Sequence, residues 1–178
     1  PIIYNVGNFN KPTADKPSLL SQDQALTLFH EFGHALHGLL SECTYPSISG
    51  TATPRDFVEF PSQVMENWVF EPEMLALYAF HYETGEVMPD ELVKKIRKAG
   101  TFNQGFATVP RYRSGYFRHI TGGYSAGYYS YMNSEIMDAD AFGAFKENGL
   151  FDEATADAFR EHILSKGGTR DAMEMYVA

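Results

Sequence analysis

Residues 29–38 read FHEFGHALHG, three histidines and a glutamate within one short stretch. Ser21 followed by Gln24 makes a capping-box pattern ahead of it, and Ala25, Leu28, Phe29, Phe32, Leu36 and Leu39 recur at helical spacing. Together these predict a helix from about Gln22 to Leu40. His30 and His34 are four apart on it, so both imidazoles share one face about one turn from each other, as two corners of a tetrahedral Zn²⁺ site require. Glu31 projects beside them, offset enough to miss the metal and close enough to take a proton from the water it activates. The competing interpretation is a pair of polar residues on a solvated helix face.

A catalytic zinc takes three protein ligands and keeps one position open. The extended form of the motif needs a glycine and a histidine further along the same helix, where this chain has His37 and Leu40. His37 is assigned to packing or to supporting a ligand, because three ligands from one straight helix rarely close a tetrahedron. The third ligand is sought in 56-DFVEFPSQVMENW-68. Asp56 reads as the N-cap of a helix from Phe57 to about Phe70, with Pro61 tightening its first turns. Glu59 lies between apolar Val58 and Phe60, and a carboxylate among buried neighbours needs a partner, which a metal supplies. Its other reading is a first-turn glutamate interacting with its own helix dipole. Gln63 and Glu66 follow on the same face, and either suits the orienting of a ligand imidazole.

A second block, 110-PRYRSGYFRHITGGYSAGYYSY-131, is rich in aromatics. Tyr124, Tyr128 and Tyr131 fall at i, i+4 and i+7 of a predicted helix running to Phe145, and Gly122-Gly123 precede them. A phenol stays neutral at pH 7 while donating a hydrogen bond to a developing oxyanion; an aromatic stripe packed in the core gives the same spacing. Elsewhere Ile2 to Val6 reads as a short strand, and Pro72 to Tyr82, Pro89 to Ala99 and Asp152 to Ser165 as helices. The expected fold is mainly α, with a small strand element before the histidine-bearing helix.

The formal net charge of −9 excludes a phosphate-binding surface, since nucleic-acid affinity depends on Lys and Arg. Cys43 is the single cysteine, which rules out an internal disulfide or a thiolate cage and fits a reducing compartment. No run of about 18 apolar residues suggests a membrane span. A cytoplasmic location is therefore expected. The chain opens on Pro1 without a leader pattern, as a piece of a longer protein would.

FHEFGHALHG, SGTATPRDFVEFPSQVMENW and PRYRSGYFRHITGGYSAGYYSY resemble the C-terminal catalytic part of the thimet-oligopeptidase family of zinc metallopeptidases, and within it the bacterial dipeptidyl carboxypeptidases. Weaker similarity extends over nearly the whole chain. The resemblance implies a gluzincin-type helical domain in which His30, His34 and Glu59 bind one Zn²⁺ and Glu31 is the general base. It implies that Tyr131 stabilises the oxyanion, with His119 beside it, and that Tyr124 and Tyr128 face substrate. Arg111 and Arg113 belong to the dipeptidyl carboxypeptidase variant, and a guanidinium suits a terminal carboxylate. The implied substrates are short peptides, cut to release C-terminal dipeptides. An endo-acting oligopeptidase and a zinc-binding but inactive fragment are the alternatives.

Two departures bear on this. Family members are several times longer, with a helical N-terminal half forming the opposite wall of a deep channel. They also carry a helical segment between the stretches matching FNQGFATV and PRYRS, which here abut at Val109 and Pro110. Residues 1–178 are accordingly expected to be one catalytic-domain fragment with a segment missing between 109 and 110.

Overall fold

The structure, a computed structural model, describes residues 2–101 and 117–178. Its α-helices are α1 (Gln22–Leu39), α2 (Arg55–Val58), α3 (Phe60–Glu66), α4 (Pro72–Tyr78), α5 (Asp90–Thr101), α6 (Ser130–Asn148), α7 (Glu153–Phe159) and α8 (Ala172–Tyr176). Short 3₁₀ turns occupy Pro46–Ile48 and Arg118–Thr121, and one π-helical turn, Arg160–Leu164, continues α7. The mainly helical class is the one expected. Ile2 to Val6 is a correction: its residues are exposed, have no ladder partner among the described residues and form no strand.

α1 begins where the capping box placed it. Ser21 Oγ accepts from the Gln24 amide at 3.2 Å and the Gln24 side chain accepts from the Ser21 amide at 3.0 Å, which satisfies two of the free first-turn donors. The helix expected over Phe57–Phe70 is instead two short helices meeting at Glu59, whose φ of −84° and ψ of −9° close α2. Pro61 is the reason, since it lacks the amide that would continue the ladder. Asp56 lies inside α2 and Pro54 holds the N-cap position.

α3 is the centre of the packing, lying against α1 on one side and α6 on the other. Phe57, Phe60, Val64 and Trp68 bury themselves with Phe142 and Phe145 of α6, Ile163 and Met175. Trp68 meets the rings of Phe142 and Phe145 edge-on at 4.6 and 4.8 Å and donates its indole N–H to the Leu150 carbonyl at 3.2 Å. Burying each such aromatic contributes about 1.5–3 kcal/mol. α1 approaches α3 through Gly33, where a Cβ would stand 2.5 Å from Ser62 Cα and 2.6 Å from the Pro61 carbonyl oxygen. Only glycine permits that approach, and it sets the His30–His34 face against Glu59.

Candidate metal centre

Both imidazoles converge on one carboxylate oxygen. His30 Nε2 and His34 Nε2 lie 3.2 and 3.1 Å from Glu59 Oε2, and the three residues offer ligand atoms all within 4.8 Å of one another. Glu59 is buried at 4% exposure, at the α2–α3 junction, where the helix break turns its side chain toward α1. Ser62 donates to the Glu59 main-chain oxygen at 2.8 Å and to Oε2 at 3.2 Å, and the Tyr124 hydroxyl donates to Oε1 at 2.7 Å. Burial works to raise the carboxyl's pKa, but hydrogen bonds from His30, His34 and Tyr124 outweigh it and hold Glu59 well below the usual carboxylate range.

Glu66, one of the two candidates for orienting a ligand, takes that place: its Oε1 lies 2.6 Å from His30 Nδ1. A proton on Nδ1 shared with Glu66 leaves Nε2 as the ligating atom. Burial lowers the basicity of His30, yet its bonds to Glu59 and Glu66 lift it to about 9. Gln63 does something else, donating to the Tyr131 carbonyl at 3.3 Å. His37 stays outside the cluster. It is fully buried, neither ring nitrogen has a hydrogen-bond partner among the described residues, and burial, with His34 adding to it, pulls the ring down to about 4.

Two imidazole nitrogens, one carboxylate and an imidazole fixed through its second nitrogen form a donor set that fits a divalent metal without rearrangement. Glu31 follows His30 directly on α1 and is half-buried. The expected helix over Tyr124–Phe145 begins only at Ser130. Ahead of it the chain runs in turns, with Gly127 N bonded to the Tyr124 carbonyl at 3.1 Å and Ser130 N to Gly127 O at 3.1 Å. Those turns nonetheless gather the predicted side chains. His119 lies 4.5 Å from Tyr128, 5.9 Å from Tyr124 and 6.0 Å from Tyr131, ring centre to ring centre, and Tyr124 lies 5.2 Å from Tyr131. Burial first, then the Glu59 charge and the bond to Tyr124, hold the Tyr131 phenol far above its usual range.

Arg111, Arg113 and the Val109–Pro110 junction fall outside the described residues. Sequence reasoning passed over Ser62, and it passed over Arg55, whose Cζ stands 4.7 Å from the Tyr124 ring centre. The available signal for Arg55 was its place four residues before Glu59, one helical turn away.

A helix-borne His-x-x-x-His pair joined by a glutamate from the next helical segment defines a metallohydrolase type of centre. Sequence comparison matches residues 1–112 and 107–178 to Peptidase family M3. The chain belongs to that family, whose peptidases are metal-dependent. It is 41% identical to the dipeptidyl carboxypeptidase of Escherichia coli (strain K12), over 220 aligned residues covering 99% of this chain and 32% of that protein. It is 38% identical to oligopeptidase A of the same organism, with 99% and 32% covered. The probable cytosolic oligopeptidase A of Arabidopsis thaliana is 36% identical, with 99% and 32% covered. The chain thus spans about a third of the length of these relatives.

Proposed function

We propose that this chain carries the zinc site of a peptidase that hydrolyses short peptides and releases dipeptides from a free C-terminus. The convergence of His30 Nε2 and His34 Nε2 on Glu59 Oε2 is the observation that carries this reading. Two imidazoles and one carboxylate are the donor set of a zinc that keeps a fourth position open. When bound, such an ion supplies Lewis acidity to the scissile carbonyl and lowers the pKa of water there. Glu31 accepts the attacking water's proton at its carboxylate and returns it to the leaving amine. Tyr131, kept protonated, donates to the oxyanion, with His119 as the neighbouring donor. Tyr124, Tyr128, Arg111 and Arg113 contribute contacts on the substrate side.

The match to oligopeptidase A supports a second reading, an endo-acting oligopeptidase. Hydrolysis of a peptide with a free C-terminus against its C-terminal amide separates the two, because only the dipeptide-releasing enzyme needs the carboxylate. A third reading is a zinc-binding piece that is inactive alone. It is supported by the chain's spanning about a third of its relatives and is tested by assaying the 178-residue chain beside the full-length polypeptide. The two overlapping family matches, and an alignment of 220 residues against a chain of 178, support a segment between 109 and 110 in the relatives. Among the described residues no helix is long and apolar enough to cross a membrane; a cytoplasmic location and the absence of nucleic-acid partners belong to the same proposal.

The decisive variant is Glu31→Gln. Turnover by the full-length polypeptide is expected to fall by at least the 10²–10⁴ that general-base catalysis contributes, with metal content unchanged. Near-normal turnover would sink the mechanism. Loss of activity on chelation and its return with Zn²⁺ test the metal independently.

A further inference from the structure

We propose that Arg55 is the residue that recognises the substrate's terminal carboxylate, an assignment that rests on the peptidase reading above. Its guanidinium lies over the face of Tyr124, Cζ 4.7 Å from the ring centre, and the hydroxyl of that same ring donates to the candidate ligand Glu59 at 2.7 Å. Arg55 is exposed, and no carboxylate among the described residues lies within ion-pair distance of it. An arginine stacked on a ring is held in place through its face and keeps its planar edge of N–H donors for a ligand.

The turn beside it is shaped to admit it. A Cβ on Gly123 would come within 2.7 Å of Arg55 Nη1, and one on Gly127 within 3.7 Å of its Cδ. The guanidinium thus occupies the space a Cβ on Gly123 would enter, and its stem packs at ordinary contact distance over Gly127, next to the His119–Tyr124–Tyr131 cluster.

Charge and distance point to the same ligand. Glu59 and Glu66 put two carboxylates at the metal centre, so an anionic group held beside it is favoured by a cation in place. From the Glu59 carboxylate through the Tyr124 phenol to Arg55 Cζ the path is about 10 Å at its longest. Two extended residues span about 7 Å, and a guanidinium–carboxylate hydrogen bond adds about 3 Å. A two-residue leaving group whose scissile carbonyl sits at the metal centre therefore has the reach to place its carboxylate at Arg55.

The test compares kcat/KM of the metal-loaded full-length polypeptide on a short peptide as its free acid and as its C-terminal amide. The wild type is expected to favour the acid by about 10²-fold, the worth of a paired, charge-assisted contact. In Arg55→Ala and Arg55→Gln that preference collapses toward unity, chiefly through KM for the acid. Arg55→Lys, which keeps the charge and loses the fork, retains an intermediate preference. An equal loss on both peptides would mean that Arg55 acts only through Tyr124 and overturns the assignment. So does an acid preference that survives in Arg55→Ala and disappears in Arg113→Ala. A wild type that cuts both peptides equally overturns the Arg55 assignment while leaving the peptidase reading intact; one that cuts neither overturns both.

Discussion

The α1–α3 region and the segment from Phe117 to Tyr131 aim their side chains by different means. In the first, regular helix sets the His30–His34 spacing, Gly33 lets the two elements touch, and hydrogen bonds run without a break from Glu66 through His30 to Glu59, with His34, Ser62 and Tyr124 joining there. In the second, successive turns replace helix, and ring contacts of 4.5–6.0 Å do most of the positioning. Hydrogen bonds from Tyr124 to Glu59 and from Gln63 to the Tyr131 carbonyl, with Arg55 lying over the Tyr124 ring, tie the second region to the first. The ligand region is the more self-contained of the two. Damage to the ligand region should disable the aromatic one, while the reverse should leave the metal in place.

Glu59→Ala gives the largest effect, because it removes a ligand and the acceptor of Tyr124 together. Zinc affinity, measured by competition with a chromophoric chelator, is expected to fall by more than the 10–100-fold that losing a supporting partner costs, and turnover is lost with it. Affinity close to wild type would mean that the two histidines bind metal with some other partner, and the contrast between the regions would fail. Tyr131→Phe probes the other side. It should lower kcat by about 10²–10³ with zinc affinity unchanged, and a matching loss of metal would show the two regions to be interdependent. Glu66→Gln comes next: zinc affinity drops by about 10–100-fold through a less well oriented His30, with any loss of kcat recovered at saturating zinc.

The difference between the regions also separates what the sequence revealed from what it did not. The capping box at Ser21–Gln24, the length of α1 and the His30–His34 face were legible because they depend on contacts three and four residues apart. Glu59 was found as a carboxylate set among apolar neighbours, and its burial follows from Phe57 and Phe60 entering the core on either side. The break at Glu59 was only half visible, since Pro61 signals a distortion without saying on which side the chain turns. The Tyr124–Tyr131 face was right in membership and wrong in form. Spacing at i, i+4 and i+7 predicted a helix, yet Gly122, Gly123 and Gly127 favour turns, and the rings meet through tertiary stacking that no local pattern encodes. Leu28 and Phe32 fit the apolar stripe of α1 and are nevertheless 41% and 47% exposed, because α3 packs on the histidine-bearing side. Helix α8 and its buried Met175 went unseen, being five residues held chiefly by a core distant in sequence.

Asp138 ties the end of α3 to α6, the helix that follows the aromatic segment, and carries the smallest prediction. It lies on α6, the helix that Ser130 opens, and accepts from the Asn67 side-chain amide beyond α3 at 3.2 Å. Burial raises its carboxyl to about 6, the charges of Glu66 and Glu135 push the same way, and the bond from Asn67 opposes them. A folded-state pKa above the unfolded value means that the folded chain binds more protons between the two, so stability falls as pH rises from about 4 to about 6 and stays lower above. The cost at pH 7 is on the order of 3 kcal/mol. Asp138→Asn removes the titration while keeping a side chain able to bond Asn67. The stability gap between variant and wild type, from urea midpoints, should widen in the variant's favour across that window and level off on either side. A gap independent of pH would show that Asp138 is ionised throughout and that α3 and α6 are joined by a charge, not by a proton held between them.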